Sequence, residues 1–354
     1  MICEHPIGGE MQVFVDDLAR HRAVGASAWP TFGRERAYRC DTGRAALELA
    51  LRDWKTRMGA AGTVWLPTYV CTSVTRTVAR LGLTMRTFGD RPGSKALDPA
   101  PLPAPSDLVL IVHYFGHVNR GALAWLDDIG SARSWSLIED CVQAPYTDGI
   151  GGRGDYVIAS LRKFWPAPDG AVVCTDRTLE NVSLAPADEE FVMQRIAGKL
   201  LRGAQVGEAL YLDWIARSEQ RLEEAPPRQV SWMSCQLLAG VDVQAAIEAR
   251  RRNWQLLEAR LRGSSDFISV FTAIAAGETP LFFPICVPVG RRDRLRRVLA
   301  QRRIYCPVHW QPLDCGTPAD ESLSAQMISL PIDQRYGPQD MAYMLSSLED
   351  FLQE

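Results

Sequence analysis

Apolar and polar positions follow two regimes along this chain. Over residues 43–58, Ala46, Leu47, Leu49, Ala50 and Trp54 recur at helical spacing and predict an amphipathic helix. Short strands, most of them built on apolar runs, follow at 63–66, 84–88, 107–113, 136–140, 156–159 and 170–174. The first of them is ended by Pro67, and helical segments over 70–81 and 122–133 lie between them. Apolar runs without alternation predict strands buried on both faces, and their alternation with helices predicts a mostly parallel sheet covered on both sides. In such sheets ligands gather at the carboxyl ends of the strands. The segments His113-Tyr-Phe-Gly116, Glu139-Asp140 and Ser160 fall there.

Beyond residue 185 the pattern changes. Long charged helical segments at 189–201 and 207–224 lead to a turn at Pro226-Pro227, and a further helix covers 241–261. The last hundred or so residues alternate again: strand 281–287, helix 292–301, strands 305–308 and 328–331, helix 339–351. The expected organisation is a larger unit over 1–240, with 1–36 an accessory segment, and a smaller α+β unit over 241–354. A short amphipathic stretch at 11–21 and a proline-rich surface connection at 99–105 complete the reading.

Composition narrows the function classes. With 47% hydrophobic residues and a formal net charge of −3, the chain has ample core material and no footprint for a polyanion, which argues against nucleic acid. The nine cysteines are irregularly spaced without a Cys-x-x-Cys pair, so no metal site is expected; several sit in apolar runs, as free core thiols do in a reducing compartment. The first residues show no basic segment followed by an apolar stretch, and no apolar run approaches membrane-spanning length. The expectation is a soluble, cytoplasmic protein. Only four of the 39 basic residues are lysines: Lys55, Lys95, Lys163 and Lys199. A lysine amine can be deprotonated by its surroundings and form a Schiff base; a guanidinium stays protonated.

Four segments carry candidate chemistry. In Ser160-Leu-Arg-Lys163, a serine at a strand end can bond a phosphate while the lysine amine reaches an adjacent aldehyde carbon; a solvated basic turn is the plain alternative. In Leu137-Ile-Glu-Asp-Cys-Val-Gln143, Asp140 ends an apolar strand, where an ionised carboxylate needs a cation such as a protonated pyridine nitrogen. Gln143 can donate to a phenolic oxygen on the same ring, and a helix cap is the other use of Asp140. Asp41-Thr-Gly-Arg-Ala-Ala-Leu47 brings a glycine to a helix N-terminus, where backbone N–H groups of Gly43 and Arg44 can meet a phosphate, or simply a capping turn. In Leu66-Pro-Thr-Tyr-Val-Cys-Thr72, Tyr69 just past a strand can lie flat on a planar cofactor, or pack.

In chain order, phosphate turn, aromatic platform, aspartate at a strand end, then serine and lysine, the segments resemble the fold-type-I enzymes dependent on pyridoxal-5′-phosphate (PLP), specifically the DegT/StrS-type sugar aminotransferases, over nearly the whole chain. The matching motifs are Gly43-Arg-Ala-Ala-Leu47, Tyr69-Val-Cys-Thr72, Val112-His-x-x-Gly116 and Glu139-Asp-x-x-Gln143. Arg250-Arg-Arg-Asn253, His309-Trp-x-Pro-Leu313 and Leu330-Pro-Ile332 match as well. The departures are the Ser160-x-x-Lys163 spacing, shorter than in most members, Arg44 in place of a small hydroxyl residue, and a poor match over 228–238.

The resemblance implies an α/β fold with a mainly parallel seven-stranded sheet in the large PLP-binding domain and a smaller C-terminal α+β domain. It implies a PLP-dependent aminotransferase in which Lys163 and Asp140 are catalytic. Gly43, Arg44, Tyr69, Asp140, Gln143, Ser160 and Lys163 would bind the cofactor. Tyr114, His309 and Trp310 are candidates for the substrate pocket. The donor would be glutamate or glutamine, the acceptor a ketone or aldehyde such as a keto-sugar, and the active protein a homodimer with shared sites. Elimination, dehydration, decarboxylation or other Cα/Cβ chemistry with the same cofactor is the alternative, since fold does not fix reaction.

Overall fold

The computed structural model describes residues 5–19, 28–59, 62–97, 101–180, 182–222, 225–311 and 316–353. The ends of the expected stretches 11–21 and 207–224, the start of 99–105, Cys3, Pro312, Leu313 and Cys315 lie outside them.

A short strand β1 (Ile7–Gly8) and helix α1 (Val15–Ala19) open the chain. Strand β2 (Arg36–Cys40) leads into helix α2 (Gly43–Met58), which starts where the Thr42 side chain accepts from the Ala45 N–H at 3.1 Å. It ends at Gly59, whose φ of 79° lets the backbone turn away while its N–H bonds the Lys55 carbonyl. Then come β3 (Thr63–Pro67), α3 (Thr72–Arg80), β4 (Thr84–Phe88), β5 (Leu108–Val112), α4 (Arg120–Ile129), β6 (Ser136–Asp140), β7 (Tyr156–Ser160) and β8 (Ala171–Thr175).

These strands form one seven-stranded sheet in the order β2-β8-β7-β6-β5-β3-β4. It is parallel except at β8, which runs antiparallel to both β2 and β7. β5, β6, β7 and β8 are buried along their whole length, which is why they are built mainly on apolar residues. Helix α2 covers one face, its Leu47, Leu51 and Trp54 buried against Leu110, Ile138 and Ile158; Trp125 and Trp135 close part of the other face over Val109 and Leu137. Register places Val112 beside Asp140 and Asp140 beside Ile158, so three neighbouring strands end along one edge. The loop that leaves β5 there turns at Gly116 with φ 88°; a Cβ at that position would lie 1.9 Å from the Thr279 carbonyl oxygen, so only glycine fits.

Helices α5 (Glu189–Gly203), α6 (Glu208–Arg221), α7 (Trp232–Ala239) and α8 (Val243–Leu261) follow. Strands β9 (Ile268–Ser269) and β10 (Phe282–Cys286), α9 (Arg292–Gln301), β11 (Ile304–Tyr305), α10 (Pro318–Gln326), β12 (Met327–Pro331) and α11 (Pro338–Gln353) complete the fold. β12, β10 and β9 make an antiparallel sheet, and Phe283, Ile285 and Leu330 share a second core with Leu257, Leu295 and Leu348. Helices α7 and α10 and the two-residue strands β1 and β9 escape the hydrophobic pattern. β1 pairs in parallel with β11, joining residue 7 to residue 304. Among the described residues no helix is long and apolar enough to cross a membrane.

Candidate active site

The strand ends open on a cavity of about 690 Å³. Gly43, Arg44, Asp140, Gln143, Ser160 and Lys163 all line it, as do His309 and Trp310. Eight of the ten expected site residues are thus brought together. Tyr69 and Tyr114 stand behind the lining. The Tyr69 hydroxyl donates to the His309 carbonyl and accepts from the Trp310 N–H at 3.0 Å, and its ring packs on Trp310. The Tyr114 hydroxyl donates to the Tyr69 carbonyl at 2.8 Å. Both tyrosines therefore hold the wall in which His309 and Trp310 sit.

Asp140 is buried at the end of β6, where one carboxylate oxygen accepts from the Val142 N–H at 2.9 Å. Burial pushes its carboxyl up; that hydrogen bond and the charges of Lys163 and His113 act the other way. Lys163 closes the single turn that follows β7, and its side chain is exposed where it lines the open cavity. Burial lowers the amine's pKa, Cys71 and Asp140 oppose this, and the Arg162 guanidinium adds to the lowering. A lowered pKa makes the neutral, nucleophilic amine easier to reach. His309 is held at about 3, by burial first and then by the Lys163 charge, so its ring is neutral. Its Nδ1 lies 3.0 Å from the Ser329 hydroxyl.

Beside Asp140, Glu139 faces away from the cavity and organises the backbone. It accepts the N–H groups of Gly151 (2.8 Å), Arg153 (2.7 Å) and Gly154 (2.6 Å), and its Oε2 lies 3.1 Å from His113 Nε2. His113 Nδ1 accepts from the Asn119 N–H, so Nε2 carries the proton toward Glu139. The acid pair at the end of β6 thus divides its labour: Glu139 fixes the loops and Asp140 meets the cavity.

Three features suit a phosphorylated pyridine. Asp140 is the first, a buried carboxylate at the cavity. Gln143, which lines the cavity, is the second: its Oε1 accepts from the Phe115 N–H at 2.8 Å, while its buried Nε2 has no hydrogen-bond partner among the described residues. A buried amide donor without an acceptor carries a penalty that a ligand oxygen removes. The third is the turn before α2. There the Thr42 and Ala45 N–H groups are taken by Asp41 and Thr42, and the Gly43 N–H, at the first helical position, has no acceptor within the helix. A Cβ on Gly43 would approach Val142 to 3.2 Å and Ser160 to 3.5 Å, so the glycine keeps this cradle open beside the Ser160 side chain.

Cys71, from the Tyr69–Thr72 motif, lines the cavity too, and so does a set that the sequence patterns did not single out: Glu10, Arg162, Arg195, Glu219 and Arg335. Arg162, next to Lys163, was the one with a local signal. The Arg250–Asn253 motif ties elements together, and its Arg250 also lines the cavity. Arg250 reaches the Pro280 and Leu281 carbonyls, and the Asn253 amide donates to those of Ile332, Asp333 and Tyr336. These bonds tie α8 to the segment after β12.

A mainly parallel seven-stranded sheet with its site at the strand ends, joined to a smaller α+β unit, is the architecture of fold-type-I PLP-dependent transferases. The chain has that fold. It is similar over 97% of its length to 99% of the sugar aminotransferase CalS13 from Micromonospora echinospora, with a TM-score of 0.65 and 19% identity. The PLP-form of Spr1654 from Streptococcus pneumoniae is similar over 97% of both chains, with a TM-score of 0.67 and 14% identity. A DegT DnrJ EryC1 StrS aminotransferase from Brucella abortus aligns over 90% of this chain and 87% of its own, with a TM-score of 0.57 and 19% identity. No family model matches the sequence, and no curated protein matches it.

Proposed function

We propose that this chain is a PLP-dependent aminotransferase that moves an amino group from an amino acid such as glutamate or glutamine to a keto or aldehyde acceptor, a keto-sugar among the candidates, and that it works as a homodimer. One observation carries the reading: Lys163 and Asp140, from adjacent strand ends, face one cavity that also presents the unpartnered amide of Gln143. The PLP-form of Spr1654 and the sugar aminotransferase CalS13, both of this fold, support it.

When bound, PLP supplies an aldehyde for covalent attachment and a ring that withdraws electrons from the reacting carbon. The Gly43 N–H, the Arg44 backbone and the Ser160 hydroxyl would hold its phosphate, with the N-terminus of α2 adding its dipole. Asp140 would hold a positive charge on the ring nitrogen, joining Lys163 and His113 as the charges that favour its buried carboxylate. Gln143 Nε2 would donate to the phenolic oxygen. Lys163 would hold the group through Nζ, and the same nitrogen, its pKa lowered, would hold and return the proton of Cα.

The test is a visible absorption spectrum of PLP-reconstituted protein before and after L-glutamate. A yellow band that fades on addition of the donor supports amino transfer. A band that ignores every amino acid donor moves the assignment to other PLP chemistry, and absence of any band refutes the cofactor. In the same assay Gln143→Leu should weaken PLP binding about tenfold, the effect of one hydrogen bond to a charged or polarised oxygen, measured by titration of the band.

A further inference from the structure

Three aromatic rings hold the imidazole of His309 in the cavity wall. Phe115 meets it edge-on at 5.2 Å between ring centres, Phe282 lies at 5.2 Å and Trp310 at 5.6 Å. Its main chain is fixed as well, since the His309 carbonyl and the Trp310 N–H both bond the Tyr69 hydroxyl. The ring's Nδ1 lies 3.0 Å from the hydroxyl of Ser329, which is wholly buried in the middle of β12. Ser329 also donates its N–H to the Pro307 carbonyl at 3.1 Å, so one residue grips this segment twice. Its hydroxyl makes no other hydrogen bond among the described residues, and His309 Nε2 makes none there. With Nδ1 engaged, Nε2 is the ring nitrogen left for a ligand in the cavity that His309 lines.

The isolation of that hydroxyl sets the tautomer. A serine hydroxyl carries one hydrogen and can also accept one. If Nδ1–H donated to it, the hydroxyl hydrogen would be left buried without an acceptor. If Nδ1 accepts instead, both groups are satisfied and the ring's own hydrogen sits on Nε2. The penalty on an unmade buried hydrogen bond favours this second arrangement by about tenfold or more. Burial, and then the charge of Lys163, keep the ring from taking a second proton. We propose that Ser329 is a positioning residue: by occupying Nδ1 it makes His309 a fixed, neutral Nε2–H donor in the cavity, matched to an uncharged hydroxyl or carbonyl oxygen of the acceptor. This rests on the aminotransferase reading above. A carboxylate at this corner would meet an uncharged N–H among aromatic rings, with little to offset its lost hydration. An uncharged oxygen loses less water and gains the same donor.

Nitrogen-15 NMR of the histidine rings in the PLP-reconstituted protein tests this, with His309→Gln identifying the His309 signals by their loss. The wild type should show the hydrogen on Nε2 and a bare Nδ1. Dihydroxyacetone, a neutral hydroxy-ketone, should shift the Nε2–H signal saturably, and acetate should not. In Ser329→Ala a population with the hydrogen on Nδ1 should appear. Affinity for dihydroxyacetone should then fall with the share of Nε2–H lost, about twofold for an even mixture. Ser329→Thr keeps a hydroxyl and should keep the wild-type signals, which a loss of packing alone would not explain. Ser329→Cys, a weak donor of like shape, takes the place of the alanine variant if that one fails to fold. Hydrogen on Nδ1 in the wild type, an unchanged tautomer in the variant without the hydroxyl, no shift with dihydroxyacetone, or a larger shift with acetate overturns the proposal. The visible band, recorded first, separates the two readings: without it the cofactor assignment fails, while the ring signals still report the tautomer.

Discussion

Lys163→Ala protein reconstituted with PLP is expected to lack the yellow band and to lose turnover by on the order of 10,000-fold, since attachment and proton transfer both depend on Nζ. Its stability should not fall. Burial lowers the amine's pKa, so the folded protein gains nothing from the lysine's charge, and the side chain opens on the cavity rather than filling a core. Urea unfolding of the variant beside the wild type checks this. A large drop in stability with residual activity would mean that Lys163 is a packing residue and that the nucleophile lies elsewhere.

Glu139→Ala should do the reverse: a severe loss of stability from a residue that does not line the cavity. Truncation strands the N–H groups of Gly151, Arg153 and Gly154 and removes the partner of His113 Nε2, all in buried or half-buried surroundings. Removing one partner from such a network costs about 3–5 kcal/mol, readable as a shift of the urea midpoint at unchanged slope. The pH dependence carries a matching signature. Burial alone would raise the Glu139 carboxyl, but the hydrogen bond and charge of His113, with the backbone donors, hold it at about 2 against an ordinary 4.5. A depressed folded value means the stabilisation is complete above about 4.5 and is lost as pH falls toward 2. The wild type should therefore lose stability in that window, and Glu139→Ala should lose less.

The strands and the candidate residues at their ends were legible because both are local. A strand buried on both faces writes itself as an unbroken apolar run, as Leu108–Val112 does, and Asp140, Gln143, Ser160 and Lys163 sit at the ends of such runs. Helix α10 had a readable signal that hydropathy hides: Thr317 and Asp320 form a capping box around Pro318, in a helix with few apolar residues. Helix α7 begins with Ser231 accepting from the Ser234 N–H, in a segment too short to show a period. The aromatic residues were legible only by type. Tyr69 and Tyr114 take their places from bonds to His309, Trp310 and each other, across as many as 241 residues of chain. The ion pairs lining the cavity were illegible for the same reason, since Glu10 meets Arg195 across 185 residues.

The pairing of β1 with β11 has a consequence for biosynthesis. Ile7 and Gly8 find their backbone partners at Arg303, Ile304 and Tyr305, and the Gly8 N–H donates to the Tyr336 hydroxyl at 2.7 Å. On the ribosome the first strand thus emerges long before its docking site exists, and the segment bearing Glu10 waits with it. The seven-stranded sheet, complete by Thr175, can assemble meanwhile. Docking of β1 on β11 is then one of the last events in the life of a nascent chain, and a truncated product that stops before residue 304 would carry Lys163 and Asp140 without that strand pair and without the His309 and Trp310 side of the cavity.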